Sequence, residues 1–279
     1  MGKTLSPLRY PGGKSQLNKK VQKLIERNRL QNHIYVEPFA GGFGVGLYLL
    51  KNNIVENAVL NDYDQHVYHF WLAVLNHTDD LIALVQDTPI DLQERTVQKT
   101  LYSAPNSTIL QDGFATLYLN RVNYSGVLFA GPLGGREQNS KYNLGCRFNK
   151  ENIIKRIRDV ASLRDRIRLF NLDANDLINR ELNQENAHCF YNIDPPYVLK
   201  GKSLYSVYFT EQDHRDFKAT VGQYLDDVPW IITYDDCELI RDIYDDYHIH
   251  EYQLFHSAHG REKGPELVIT NLSDDQFEW

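Results

Sequence analysis

The amino-acid sequence predicts an α/β protein, a mostly parallel sheet flanked by helices and interrupted by a mainly helical insertion. Three observations predict it. Strand and helix signals alternate at both ends of the chain, a glycine-rich turn leaves the first strand directly for a helix, and an Asp-Pro-Pro-Tyr run follows a buried-type apolar stretch.

Taken in order, Leu17, Val21, Leu24 and Ile25 recur at helical spacing behind Ser15, which is placed to cap the first turn. His33 to Val36 reads as a strand, Gly44 to Leu50 as a helix, Ala58 to Leu60 as a strand and Asp64 to Leu75 as a helix. From about residue 78 to 160 the pattern turns helical and loop-like, with a loop rich in Gly, Asn and Ser between Asn120 and Asn149. Strand signals resume at Ile167 to Phe170, His188 to Ile193, Trp230 to Thr233, Ile249 to Leu254 and Leu267 to Thr270. The expected organisation is one α/β domain over 1–76 and 161–279, with 77–160 inserted.

At 279 residues and 42% hydrophobic the chain is long enough to bury a large core. No apolar run approaches the roughly 18 residues of a membrane span, and the polar N-terminus lacks the apolar centre of a signal peptide, so a cytoplasmic protein is expected. Cys146, Cys189 and Cys237 are odd in number and far apart, which argues for reduced thiols. The formal charge of −7 is unevenly spread. Residues 1–30 carry eight basic side chains against Glu26 alone, and residues 141–168 carry nine against three acidic ones. Each is by itself compatible with a solvated helix face; together they point to a polyanionic partner.

Asp194-Pro195-Pro196-Tyr197 emerges where the apolar stretch Cys189 to Ile193 ends. A Pro-Pro pair cannot continue a central strand, and in open α/β sheets ligands bind beyond the carboxyl ends of the strands. A carboxylate, prolyl carbonyls of restricted freedom and an aromatic ring therefore gather at a site suited to a planar amine. The second site is Glu37-Pro38-Phe39-Ala40-Gly41-Gly42-Phe43-Gly44, a turn whose glycines let backbone approach a ligand. Twenty-five residues after Glu37, Asp62 ends the next strand, where an acidic side chain holds ribose hydroxyls, so a nucleoside cofactor follows. Leu47 stands at the third glycine position of the dinucleotide fingerprint, which disfavours a nicotinamide. Arg9-Tyr10-Pro11-Gly12-Gly13-Lys14 is not a phosphate loop, because Leu8 occupies the first glycine position and no strand precedes it.

In this order and spacing, Arg9 to Lys14, Glu37 to Gly42 and Asp194 to Tyr197 resemble the Dam-like DNA adenine N6-methyltransferases. Leu117-Tyr118-Leu119-Asn120-Arg121 followed by Tyr124-Ser125-Gly126 is similar to that family's target-recognition region, and the resemblance covers nearly the full chain. It implies a Rossmann-like methyltransferase sheet, mostly parallel with an antiparallel last strand, and an inserted mainly helical target-recognition domain. It further implies S-adenosyl-L-methionine as cofactor, held by Tyr10, Gly12, Gly13, Lys14, Glu37, Pro38, Phe39, Gly41, Gly42, Asp62 and Asp194, with Asp173 or Asp176 toward its adenine. Double-stranded DNA would be the partner, contacted by Arg121, Tyr124, Arg136, Lys141 and Arg147, with Tyr124 as a wedge. A cognate restriction endonuclease fits the same resemblance.

The amino nitrogen of adenine has its lone pair delocalised into the ring, so it needs hydrogen-bond acceptors and orientation. Asp194 and the Pro195 carbonyl are the expected acceptors, Pro196 stiffens the turn, and Tyr197 is expected to stack on a base flipped out of the duplex. Between Gly126 and Asn149 the chain departs from the better-known members with a longer loop, Phe129 to Arg136, which leaves the target sequence open. His66-x-x-His69 and His256-x-x-His259 lack further ligands at zinc spacing, so no metal is expected. Two alternatives remain: methylation of another planar amine such as cytosine N4, which Asp194 disfavours by family comparison, and a non-catalytic DNA-binding sensor of S-adenosylmethionine.

Overall fold

Short apolar strands form the sheet at the centre of one of the two units of the chain. The computed structural model describes residues 5–9, 15–199, 208–253 and 265–279. Seven strands build one sheet: β1 (Ile34–Glu37), β2 (Ala58–Asn61), β3 (Ile167–Phe170), β4 (Cys189–Ile193), β5 (Trp230–Asp235), β6 (His248–Gln253) and β7 (Pro265–Thr270). Their order is β3-β2-β1-β4-β5-β7-β6. The first five run parallel and are largely apolar, as expected when helices cover both faces. The last strand, β7, runs antiparallel to both β5 and β6.

β1 and β4 are neighbours, with Tyr35 opposite Phe190 and Val36 opposite Tyr191. From β1 the chain moves outward to β2 on one side, whereas β4 is followed by β5 on the other. The strand order therefore reverses between β1 and β4, the place where the loops part and leave a crevice. The glycine-rich turn leaves the carboxyl end of β1 and Asp194 leaves that of β4.

Helix α1 (Asn18–Arg27) buries Val21, Leu24 and Ile25, and α2 (Gly44–Lys51) buries Val45, Leu47, Leu49 and Leu50. α1 begins later than expected. A 3-10 turn spans Ser15–Leu17, so Leu17, which makes no side-chain cap bond, occupies the N-cap position expected of Ser15. The core of this part includes Val36, Val59, Tyr191, Ile193, Ile232, Tyr234, Leu267 and Ile269 from the sheet, with Phe217 and Val221 from the helix Glu211–Tyr224.

By compactness the described residues fall into two units, one of 15–63, 166–199, 208–253 and 265–279, the other of 5–9 and 64–165. The second unit is helical: α3 (Gln65–Asn76), α4 (Thr78–Asp87), α5 (Leu92–Ser103), α6 (Ile109–Val122) and α7 (Lys150–Ala161). Their starts are written in polar residues. Asp64, Asp91 and Asn149 accept backbone N–H groups at the first turns of α3, α5 and α7, and Thr108 with Gln111 makes a capping box for α6. α6 is buried on every side from Asp112 to Val122. A side chain at Gly113 would come within 2.7 Å of the His69 carbonyl, so this glycine sets the close approach of α6 to α3. Among the described residues no helix is long and apolar enough to cross a membrane.

Candidate active site

Four side chains reach the carboxyl edge of the sheet from adjacent strands and are held by neighbouring polar groups. On β1, buried Glu37 accepts the Tyr35 hydroxyl at 2.8 Å and the Gly46 amide at 3.0 Å, so the strand and the first turn of α2 share one carboxylate. Asn192 of β4 donates to the same Tyr35 hydroxyl at 2.6 Å. Burial, with a smaller contribution from the charge of Asp194, pushes Glu37 up to about 8 against the hydrogen bonds that favour its charged form.

The turn after β1 is shaped by left-handed backbone at Gly41 (φ 46°) and at Phe43 (φ 47°), the N-cap residue of α2. The Phe43 ring lies where a Gly46 side chain would be, 2.3 Å from its β-carbon position, so glycine at 46 admits the ring. Asn61, at the end of β2, donates to the carbonyls of Pro38 and Leu172 and accepts the Leu172 amide, tying together the turns after β1 and β3. Asp62 follows. It is 8% exposed, and its Oδ2 accepts the Gly41 amide at 2.8 Å.

Asp194 leaves β4 half-buried, and its Oδ1 accepts the Thr233 hydroxyl of β5 at 2.7 Å. Pro195 is buried and Pro196 half-buried behind it. Tyr197 is 7% exposed, its hydroxyl donating to Glu266 of β7 at 2.8 Å. Asp235, at the end of β5, accepts the amides of Val198 and Leu199 at 3.0 and 2.7 Å. The backbone beyond the two prolines is thus pinned to the sheet.

The structure brings Glu37, Pro38, Gly41, Asp62 and Asp194 to one edge. Phe39 turns away onto Phe209 and Phe217, edge to face at 5.7 and 5.3 Å, and Gly42 completes the turn half-exposed. Beyond β3, Asp173 caps the short helix Ala174–Asp176, and Asp176 pairs with Arg180 at 3.2 Å with its side chain 43% exposed. Tyr10, Gly12, Gly13 and Lys14 lie outside the described residues.

In the helical unit, Asn120 accepts the Arg9 amide at 2.7 Å and donates to the carbonyls of Arg9 and Gly126, so α6 fixes both the described start of the Arg9 motif and the following loop. That loop closes like a hairpin: Tyr124 N–H donates to Gly131, Leu133 N–H to Val122, and Arg95 of α5 clamps Asn123 and the Ala130 carbonyl. It exposes Tyr124 and Phe129, and Arg136, Lys141 and Arg147 are exposed beyond it. Arg121 differs from these. It is 7% exposed, its guanidinium donates to the Pro7 carbonyl and lies at 3.5 Å from that of Arg147, and burial lowers it to about 9. The fold spends this arginine on holding residues 7 and 147.

His66 and His69 both bond through Nδ1 to buried Asp112 at 2.7 Å. Among the described residues no group of His, Cys, Asp or Glu is arranged to hold a metal ion. His256 and His259 lie outside the described residues. Cys146, Cys189 and Cys237 are unbridged thiols.

Asn61, Asn192, Thr233, Asp235 and Glu266 were not singled out by sequence. Asn192 and Glu266 carried a signal, a polar residue inside an apolar strand; Thr233 carried none, because its partner is set by the register of β4 against β5.

The model of the D12 class N6 adenine-specific DNA methyltransferase family matches residues 10–257. The chain is 22% identical over 228 residues to the type II methyltransferase M.MjaIII of Methanocaldococcus jannaschii, covering 75% of this chain and 74% of that protein. Among solved structures, an uncharacterized protein from Listeria monocytogenes serotype 4b aligns over 92% of this chain and 70% of its own at 9% identity, with a TM-score of 0.39.

Proposed function

Because the chain belongs to the D12 class N6 adenine-specific DNA methyltransferase family and so methylates adenine in DNA, we propose that the crevice between β1 and β4 is where the reaction takes place. The observation that carries this reading is the placement of Asp194, held by Thr233, at the strand reversal beside the glycine-rich turn and Asp62.

The donor set fits S-adenosylmethionine. Asp62 offers a carboxylate at the tip of β2, where ribose hydroxyls need an acceptor, and its bond to Gly41 keeps that carboxylate against the turn. Asp62 and Asp194 give the edge an acidic character suited to a sulfonium. When bound, this group supplies an electrophilic methyl. We assign Tyr10, Gly12, Gly13 and Lys14 to its methionine end, with Glu37, Pro38, Phe39, Gly41, Gly42, Asp62 and Asp194 around it and Asp176 toward its adenine.

Asp194 and the Pro195 carbonyl accept hydrogen bonds from the two N–H groups of the target amine. In doing so they favour a pyramidal nitrogen whose lone pair faces the methyl. Positive charge grows on that nitrogen, and a carboxylate fixed in advance stabilises it with no reorganisation. As the N–C bond forms and the donor's S–C bond breaks, nitrogen sheds one proton toward the Asp194 carboxylate and is left as a methylamino group. Pro196 limits the freedom of the turn, and Tyr197 offers a ring face to a base taken out of the stack, offsetting part of the unstacking cost.

The helical unit is assigned target recognition. Tyr124 is the wedge at the vacated position, and Arg136, Lys141 and Arg147 contact the duplex, while buried Arg121 acts through the loop it holds. Similarity to a type II methyltransferase supports pairing with a restriction endonuclease. The test is transfer of tritiated methyl from S-adenosylmethionine to duplex DNA by the purified chain, followed by nucleoside analysis. Labelled N6-methyladenine is expected; labelled N4-methylcytosine, or no labelled product, overturns the assignment.

A further inference from the structure

Glu266 sits in the middle strand of the antiparallel edge, opposite Asp235 of β5 and opposite Tyr252 of β6. It is 2% exposed, in a strand that continues as Leu267, Val268 and Ile269. Burying a carboxylate there is costly unless hydrogen bonds hold it. Two phenols supply them on one oxygen, Tyr197 at 2.8 Å and Tyr252 at 2.6 Å, both to Oε2. Burial and the Glu266 charge push the Tyr252 phenol above its ordinary range, which keeps its hydroxyl a donor.

The consequence falls on Tyr197. Its backbone is fixed just downstream by Asp235, which takes the amides of Val198 and Leu199, and its far tip is fixed by Glu266. A ring held at both ends keeps the direction of its long axis. Resting on the reading that this ring faces the target base, we propose that Glu266 is a positioning residue for methyl transfer, setting the tilt of Tyr197 through its hydroxyl so that a base against the ring meets Asp194 in line. Tyr252 bonds the same carboxylate oxygen and has no part in holding the base.

The two roles separate in steady-state kinetics on a short duplex. Tyr197→Phe keeps the ring and loses the tether; Glu266→Gln keeps the volume and weakens the acceptor. Each is expected to lower kcat on the order of tenfold with KM for the methyl donor unchanged, since small misplacements cost rate without costing binding. The double variant is expected to be no slower than the slower single one. Tyr252→Phe is expected to keep a near-normal kcat while lowering the midpoint of thermal unfolding. Multiplicative losses in the double variant, or an equal loss of kcat in Tyr252→Phe, overturn the proposal. Where Glu266→Gln does not fold, the comparison of the two tyrosine variants decides alone. The reading beneath it fails separately, by normal turnover in Tyr197→Ala, which removes the ring.

Discussion

The Thr233 hydroxyl donates to Asp194 Oδ1 at 2.7 Å, so the carboxylate at the tip of β4 takes its orientation from the neighbouring strand. Thr233 is 1% exposed, which makes its bond to a charged acceptor worth roughly 1.5 to 3 kcal/mol. Thr233→Val preserves shape and removes the donor. It is expected to reduce kcat about tenfold or more with KM for DNA little changed, and Thr233→Ser to restore most of the rate. A valine variant as fast as the parent would show that Asp194 keeps its pose without this donor.

On the proposed reading Asp194 accepts from the target amine, and its removal leaves the Pro195 carbonyl as the remaining acceptor. Asp194→Ala is expected to fold, to bind duplex DNA with near-parent affinity in a gel-shift titration, and to transfer methyl at least on the order of a hundredfold more slowly. Turnover within a few-fold of the parent would remove the carboxylate from the chemistry.

Glu37 links chemistry to stability through its burial. Its folded value of about 8 lies above its ordinary 4.5, so the folded protein holds a proton that the unfolded chain releases first. The stabilisation is complete below about pH 4.5 and is lost as pH rises to about 8, a contribution on the order of a few kcal/mol. Glu37→Gln, which cannot ionise, is expected to flatten this part of the profile. Urea midpoints of both proteins across that range measure it; parallel profiles would mean that Glu37 is already ionised in the folded state.

What was legible in the sequence follows from what is local. The alternation of strands and helices, the turn after β1 and the Asp-Pro-Pro-Tyr exit from β4 are short-range patterns, and each appears within a residue or two of its expected place. β5 runs on to Asp235, beyond the expected Thr233, because Tyr234 and Asp235 pair with Leu267 and Glu266 although the apolar signal has ended. Arg121 looks the same in sequence as Arg136 or Arg147; only the packing of α6 shows that its guanidinium is buried against carbonyls. Thr233 and Glu266 act across strands far apart in the chain, and a single sequence holds no record of register.

Gly126 follows the exposed Tyr124 with φ at +80°, and a β-carbon there would lie 2.2 Å from the Arg9 carbonyl oxygen. Both the left-handed backbone and the contact with rigid backbone oppose any side chain. Gly126→Ala is expected to destabilise by about 2 kcal/mol or more and to loosen DNA binding, because Asn120 holds residues 9 and 126 together. Hydrogen exchange is expected to rise in residues 122–133. Unchanged exchange there would separate the loop from residue 9.

Tyr124 is 51% exposed and stands at the start of the hairpin-like loop, its amide bonded to the Gly131 carbonyl at 2.9 Å and the preceding Asn123 clamped by Arg95. A large ring on a braced backbone is the form a wedge needs, since the strain of opening a base stack is returned to whatever anchors it. Tyr124→Ala removes the ring and leaves that bracing intact, so folding and DNA affinity are expected to stay near the parent's. Base extrusion is not. With 2-aminopurine at the target position, the rise in fluorescence on binding is expected to fall severalfold, and kcat with it. Tyr124→Phe, which retains the ring, is expected to recover both signals. A full rise in the alanine variant would reassign the wedge, with Phe129, 57% exposed on the same loop, as the next ring to test.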